Sequence, residues 1–337
     1  MKIVFLDALT LGAGSFAALE ALGEFVGYGD STPEEGLERV GDCDVLVVNK
    51  FKVTPAILDA APQLKLVCES GTGMNNIDVA ACTERGIPVR NVAAYSTATV
   101  AQTTMMHILS LLGNALHFDA AVKSGDYSRS KILTEVFTPF IEAAGKTLGI
   151  IGLGAIGRQV ARIAQALDMQ VIYYSTTGCH HTTDFEEVSL EEMLRRSDVI
   201  TIHAPMTDRT RGLIGPSELR RMKPTAFLVN MGRGGIVDEA ALCEAVDAGI
   251  IAGAAIDVFT KEPLPLNHPY LQVRHPERFR FTPHIGWGST EARTRLIEGI
   301  AANIAAWRDG QEKPQRPLPI PTRLCRSVSE CGRTGRG

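Results

Sequence analysis

The chain has no excess of positive charge: 34 lysines and arginines stand against 38 aspartates and glutamates, for a formal net charge of −4. That balance offers no basic field for a nucleic acid, so a small or neutral partner fits better. Paired cysteines are also missing. Cys43, Cys68, Cys82, Cys179, Cys243, Cys325 and Cys331 are scattered without a Cys-x-x-Cys, which argues against a disulfide framework or a zinc ribbon. A reducing cytoplasm is the simplest home for such a chain. Long apolar runs are lacking too: the start at Met1 to Leu6 is interrupted by Asp7 before it reaches signal-peptide length, and no uncharged stretch approaches bilayer length. Neither an internal repeat nor a low-complexity block is present.

What is present is an alternation of strands and helices. The 337 residues, 45% apolar and 21% charged, suit two α/β domains that each bury a core. Apolar runs at Ile3–Leu6, Val45–Val48, Leu64–Cys68 and Val89–Val92 read as strands, with helical patterns near residues 15–22, 33–40, 55–61 and 77–85 between them. Val100, Thr104, Met105, Ile108 and Leu112 then make a stripe that predicts a buried connecting helix over 97–112. A polar, irregular segment follows from about Lys123 to Thr138. Further strands are expected at Leu148–Ile151, Val171–Tyr174, Val199–His203, Ala226–Asn230, Gly253–Val258 and Phe279–Thr282, and helices near 189–196, 238–248 and 290–307. The expected architecture is two Rossmann-like, doubly wound parallel-sheet domains with a cleft between them. One comprises 1–98 plus 289–312 and binds substrate; the other, 99–288, binds a dinucleotide. The proline- and arginine-rich stretch 313–337 has no apolar periodicity, and disorder is expected there.

The stretch Lys146–Arg158 organises the second domain. Its apolar strand runs straight into Gly152-Leu-Gly-Ala-Ile-Gly157 and then into a helical face formed by Val160, Ile163, Ala164 and Leu167. In a strand–turn–helix unit of this kind, the first glycine permits the turn. The second lets a pyrophosphate approach the backbone, and the third lets the helix pack close to the strand. Backbone N–H groups and the positive helix end would hold the phosphates. A second glycine-rich loop, Glu69 to Asp78, also leaves the carboxyl end of a strand, and N–H groups around Gly71, Thr72 and Gly73 could cradle a small carboxylate.

Three polar residues follow three separate strands: Arg233 after Val229-Asn230, Glu262 after Asp257-Val258, and His284 after Thr282-Pro283. In a parallel sheet such positions converge on one crevice. With these residues and with Gly152-Leu-Gly-Ala-Ile-Gly157, His203-Ala-Pro205, Asn230–Asp238, Asp257–Pro263 and Thr282–Gly286, the chain resembles the D-2-hydroxyacid dehydrogenase family over about residues 40–307. The resemblance implies Arg233, Glu262 and His284 as the catalytic set. It implies cofactor contacts from Thr99, Gly152, Gly154, Ala155, Ile156, Gly157, Ser175, Thr176, His203, Pro205, Met231, Gly232, Arg233, Asp257, His284 and Gly286. For the substrate it implies Lys50, Gly71, Thr72, Gly73, Arg233 and His284, and for the assembly a homodimer paired through 97–140. No metal is required. Cys179-His180-His181 has metal-ligating side chains but no fourth ligand at a suitable spacing.

The residue types suit reduction of a 2-oxo acid, in which the carbonyl carbon takes a hydride and its oxygen a proton. A histidine, with an unperturbed pKa near 6.5, suits the proton donor, and a carboxylate beside it favours the imidazolium. An arginine fork can grip carboxylate and carbonyl together. Catalysis is expected to need closure of the cleft, with hinges near Ala98 and residues 288–291. One departure concerns the cofactor. Family members that use NAD carry an aspartate for the adenosine ribose, whereas this chain has Ser175, with no arginine beside it and only His180 and His181 as weak substitutes. The cofactor is therefore NAD or NADP. The run Pro139 to Leu148, Trp287 and Asn49-Lys50 resemble the glycerate dehydrogenase or hydroxypyruvate reductase branch, which implies hydroxypyruvate or glyoxylate as substrate. The alternative is a dinucleotide-sensing regulatory protein of the same fold, similar to the corepressors that retain the same residues; the lack of extra interaction segments in residues 1–310 sets it second.

Overall fold

The computed structural model describes residues 1–177 and 184–311. The chain divides into two compact units: Met1–Thr10 and Phe16–Val92 with the chain from Ile297 on, and Leu11–Ser15 with Ala93–Leu296. The division runs through the last helix, Thr290–Arg308. Early in that helix, Arg293 donates to the Leu11 carbonyl and Arg295 to the Tyr95 carbonyl. Later, Asn303 donates to the Asn91 carbonyl, and Gly299 lies so near Val92 that a Cβ there would come within 2.6 Å of it.

The first unit holds β1 (Lys2–Phe5), β2 (Glu24–Gly27), β3 (Val45–Val48), β4 (Leu66–Glu69) and β5 (Val89–Arg90), all parallel in the order β2-β1-β3-β4-β5. Ile3, Val4, Phe5 and Val45–Val48 are wholly buried, which is why these strands are continuous apolar runs rather than alternating ones. β2 escapes that pattern: it is an edge strand with no buried residue. Helix starts carry ordinary sequence signals. Thr32, Asp78, Ser189 and Asp238 each accept an N–H from the first turn of the helix that follows, a contribution of about 1 kcal/mol per cap.

The second unit holds β6 (Thr147–Ile151), β7 (Gln170–Tyr174), β8 (Glu186–Glu187), β9 (Val199–Ile202), β10 (Phe227–Asn230), β11 (Gly253–Ile256) and β12 (Phe279–Phe281). Their order is β12-β11-β10-β9-β6-β7-β8, again wholly parallel. The winding starts at β6, runs outward through β7 and β8, and then crosses back to β9. Between β6 and β9 lies the switch point, outside whose carboxyl ends ligands bind in open sheets. One face is filled by Ile172, Met193, Leu228, Leu242 and Ile256, the other by Met105, Ile108, Leu148, Val160 and Val229.

The helix Thr97–Leu112 is buried along ten of its residues, as its stripe predicts. Its polar members are satisfied within the unit: Thr103 and Thr104 bond back to the Thr99 and Val100 carbonyls, His107 meets Thr282, and Ser110 accepts from Arg280. The segment expected to be irregular from Lys123 is preceded by a helix, Ala115–Lys123, and includes a helical turn, Asp126–Arg129. Neither buries a residue, so neither carries the apolar stripe by which a helix is recognised. Among the described residues, no helix is long and apolar enough to cross a membrane. Cys179-His180-His181 and the 313–337 tail lie outside the described residues.

Candidate active site

The carboxyl ends of β6, β9 and β10 come together around Ala204. Gly152 has φ +90°, a conformation open mainly to glycine, and a Cβ on it would stand 3.0 Å from the Ala204 nitrogen. Gly157 approaches the Gly152 carbonyl so closely that a Cβ would meet it at 2.5 Å, and Gly232 packs similarly against the Ala204 carbonyl at 2.9 Å. Gly154 is different: nothing lies within 4 Å of where its Cβ would be. It caps the helix Ala155–Gln165 without a side-chain bond, so no capping side chain takes the first-turn N–H groups at Ala155 and Ile156. The turn therefore fits a pyrophosphate. His203 follows β9; its Nε2 meets the Thr201 hydroxyl at 3.0 Å, and Nδ1 is a buried nitrogen without a partner. Burial pushes its pKa down to about 3, so the imidazole is neutral. Nearby, Pro205 is exposed and its carbonyl accepts from Thr210, Met231 is buried, and the Thr99 hydroxyl is taken by Ser289 at 2.9 Å.

Across the same sheet, β10, β11 and β12 lead into the loops that carry Arg233, Glu262 and His284. After β10, Asn230 closes a tight loop: its Nδ2 donates to the Arg233 carbonyl at 3.0 Å and its Oδ1 accepts from Gly232 N–H at 3.1 Å. The half-buried Arg233 guanidinium folds back on the Gly232 carbonyl at 2.8 Å. Gly234 then runs so close to Phe259 that a Cβ would overlap its carbonyl at 2.0 Å. Only glycine permits that approach, which holds the Arg233 loop against the loop carrying Glu262. Glu262 itself accepts from Phe259 N–H at 3.0 Å through Oε1, and its Oε2 meets His284 Nδ1 at 2.6 Å. The bond on Nδ1 leaves Nε2 as the ring nitrogen that can give a proton to a substrate.

His284 sits in an unusual backbone state, with φ +54°. A left-handed conformation in a residue with a Cβ costs on the order of 1 kcal/mol or more and persists only when its surroundings impose it. Here the constraint is Asp257, whose carboxylate is 3% exposed. It accepts from Thr282 Oγ1 at 2.5 Å and from the N–H groups of Ile285 and Gly286, both at 2.9 Å. The bonds straddle His284 and fix the turn. Because the Thr282 proton goes to Asp257, its oxygen accepts from His107 Nε2 at 3.1 Å, and burial holds that imidazole below its ordinary pKa and neutral. Asp257, which the resemblance marks only as a cofactor contact, thus has a structural task that no local motif reveals.

In the first unit, Lys50 is exposed and its N–H, with those of Asn49 and Phe51, is held by the buried Asp7 carboxylate at 2.6 to 2.9 Å. The loop Gly71-Thr72-Gly73 is tied down by Thr72 Oγ1 to the Val92 carbonyl, by Asn91 to the Thr72 carbonyl and by Val92 N–H to the Gly71 carbonyl. Under it lies Glu69, whose pKa burial pushes up to about 8, opposed by the Asn76 amide bond.

This sheet order, with a glycine turn at its switch point and a paired histidine and glutamate on neighbouring strand ends, defines a dinucleotide-dependent oxidoreductase. Residues 105–286 match the family model for the D-isomer specific 2-hydroxyacid dehydrogenase NAD binding domain. Among curated relatives, the glycerate dehydrogenase of Methylorubrum extorquens is 36% identical over 93% of this chain and 98% of its own. The hydroxypyruvate reductase of Blautia hydrogenotrophica is 34% identical over 92% and 98%. A solved acyclic imino acid reductase, in complex with NADPH and D-Arg, is 28% identical with a TM-score of 0.81 and covers 92% of this chain and 98% of that one. The chain belongs to the D-isomer specific 2-hydroxyacid dehydrogenase family, whose members are NAD-dependent oxidoreductases.

One neighbour of the β7 strand end comes from far along the chain. Ser175 directly follows β7, with Oγ 3.2 Å from Thr177 Oγ1, but the space beside it is not without an arginine. Arg209, 32 positions beyond Thr177 in the chain, reaches the Thr177 carbonyl at 2.9 Å. Its approach is not encoded next to Ser175 in the chain, because it arrives from the loop after β9.

Proposed function

We propose that the preferred substrate is a small 2-oxo acid of the hydroxypyruvate or glyoxylate type, reduced to D-glycerate or glycolate. The observation that carries the catalytic reading is the 2.6 Å contact between His284 Nδ1 and Glu262, on a turn clamped by Asp257. When bound, NADH or NADPH supplies the hydride; Gly152, Gly154, Ala155, Ile156 and Gly157 hold its pyrophosphate, and Thr99, Ser175, Thr176, His203, Pro205, Met231, Gly232 and Gly286 complete its binding surface. Nε2 of His284 delivers the proton to the carbonyl oxygen, and Glu262 stabilises the imidazolium before transfer. Arg233 turns its fork from the Gly232 carbonyl to the substrate, gripping the carboxylate and polarising the carbonyl. N–H groups of Gly71, Thr72 and Gly73, with the Lys50 charge, favour a small anionic substrate.

The second unit also exposes Leu116, Val122, Leu133, Val136, Phe137 and Phe140. An apolar patch of this kind supports pairing of two copies through the segment that follows the helix Thr97–Leu112. Light scattering on the active enzyme tests it, and a monomer at full activity would remove it. Initial rates with hydroxypyruvate, glyoxylate, pyruvate and a longer 2-oxo acid, each with NADH and NADPH, test the substrate reading. Higher kcat/KM for hydroxypyruvate or glyoxylate is expected, and preference for the longer acid would refute it.

A further inference from the structure

At the carboxyl end of β7 the second unit opens a groove of about 860 Å3, lined among others by Tyr174, Ser175, Thr176, Glu187 and Arg209. In a sheet wound from β6 to β7, the adenosine ribose of a dinucleotide lies against this strand end. A carboxylate there accepts the ribose hydroxyls and repels a 2′-phosphate, whereas a nearby arginine accommodates it. Here the strand end offers two hydroxyl side chains, Ser175 and Thr176, and no acid.

Two carboxylates border the groove, but both are already engaged. Glu187 accepts the Tyr173 hydroxyl at 2.8 Å, and Glu192 is paired at 2.8 Å with Arg196, which also holds Glu186. Arg209 is placed differently. One of its terminal nitrogens donates to the Thr177 carbonyl at 2.9 Å, which draws the guanidinium to the strand end, and among the described residues it forms no ion pair. A guanidinium has five donors in a rigid fork, so one backbone bond leaves most of that fork for a planar or tetrahedral anion.

We propose that Arg209, with the hydroxyls of Ser175 and Thr176, forms a binding site for the 2′-phosphate of NADP and biases this enzyme toward NADPH. The inference rests on the reading of the β6 turn as the pyrophosphate site. The shared chemistry is recognition of a phosphate monoester dianion, by a residue contributed from the loop after β9 rather than from the strand end itself.

The test separates this site from turnover. Calorimetric titration of the full chain with 2′,5′-ADP and with 5′-AMP isolates the 2′-phosphate. Wild type should bind 2′,5′-ADP more tightly, and Arg209→Gln should weaken it by about tenfold to a hundredfold, the range for lost charge-assisted hydrogen bonds, with 5′-AMP affinity unchanged. Arg209→Lys, which keeps charge and loses the fork, should fall between the two. In turnover, the NADPH-to-NADH ratio of kcat/KM should fall in Arg209→Gln by a similar factor. Equal affinity of wild type for the two nucleotides, or equal weakening of both in the variant, would overturn the proposal. Inorganic phosphate should displace 2′,5′-ADP only at far higher concentration; displacement at equal concentration would make this a free-phosphate site and overturn it too. Failure to reduce any 2-oxo acid would refute the catalytic reading and leave the nucleotide difference standing.

Discussion

Replacing Asp257 by Asn tests whether the His284 turn is held from below. The carboxylate accepts three bonds at 2.5 to 2.9 Å, with Thr282 and Ile285 on one oxygen and Gly286 on the other. An amide of the same shape can keep its oxygen toward Thr282 and Ile285, but its NH2 then faces the Gly286 N–H, donor against donor. Leaving that buried N–H unpaired costs about 1–3 kcal/mol. Asp257→Ala removes both oxygens and leaves two N–H groups without acceptors, about 2–6 kcal/mol by the same reckoning. For a unit of this size, the Asn variant should unfold about 2–12 °C lower. Function should suffer as well, because the left-handed turn at His284 loses the bonds that impose it. Displacement of a reacting group by about 1 Å can cost on the order of 10²-fold in rate. Differential scanning fluorimetry and steady-state kinetics on wild type, Asn and Ala variants provide the assay. Both properties should fall in the order wild type, Asn, Ala. An Asn variant with unchanged melting temperature and kcat would show that the carboxylate does not hold the turn.

Three further outcomes follow from the same geometry. His284→Ala should mainly lower kcat, by on the order of 10²–10⁴-fold for a lost general acid, whereas Arg233→Ala should also raise KM because its fork holds the ground-state carboxylate; stopped-flow and steady-state rates separate the two. Glu262→Gln keeps the shape of the partner and removes its charge, so kcat should fall with little change in KM; an unchanged kcat would detach Glu262 from the proton donor. Glu69, with a carboxyl pushed by burial from an ordinary 4.5 up to about 8, binds its proton more tightly folded than unfolded, so its contribution is full below about 4.5 and is lost as pH rises toward 8. The stability of wild type relative to Glu69→Gln, read by denaturant unfolding at pH 5 and 8, should therefore decline at up to about 1.4 kcal/mol per pH unit, and a constant difference would contradict this.

Strand identities in both sheets were legible because buried parallel strands are continuous apolar runs, as in Val45–Val48 and Val199–Ile202, both wholly buried. β2 and β8 were not, being short edge strands without buried residues. Arg233, Glu262 and His284 could be singled out for a related reason: each follows the end of a strand, and the parallel sheet brings those ends to one side. Two residues needed the folded chain. Asp257 acts through bonds that span 25 to 29 positions, and Arg209 approaches Ser175 from another loop. Such roles depend on three-dimensional proximity, which spacing along the chain does not encode.

The proposed reaction has His284, oriented by Glu262, protonate the carbonyl oxygen of a small 2-oxo acid while the hydride of the reduced cofactor reaches one face of the carbonyl carbon. It is tested most directly by chiral chromatography of the glycerate formed from hydroxypyruvate and reduced cofactor, by wild type and by His284→Ala at equal enzyme concentration. Wild type should form D-glycerate alone, and the variant should form it at least about a hundredfold more slowly. L-glycerate, a racemate, or near-equal rates from the two proteins would contradict it.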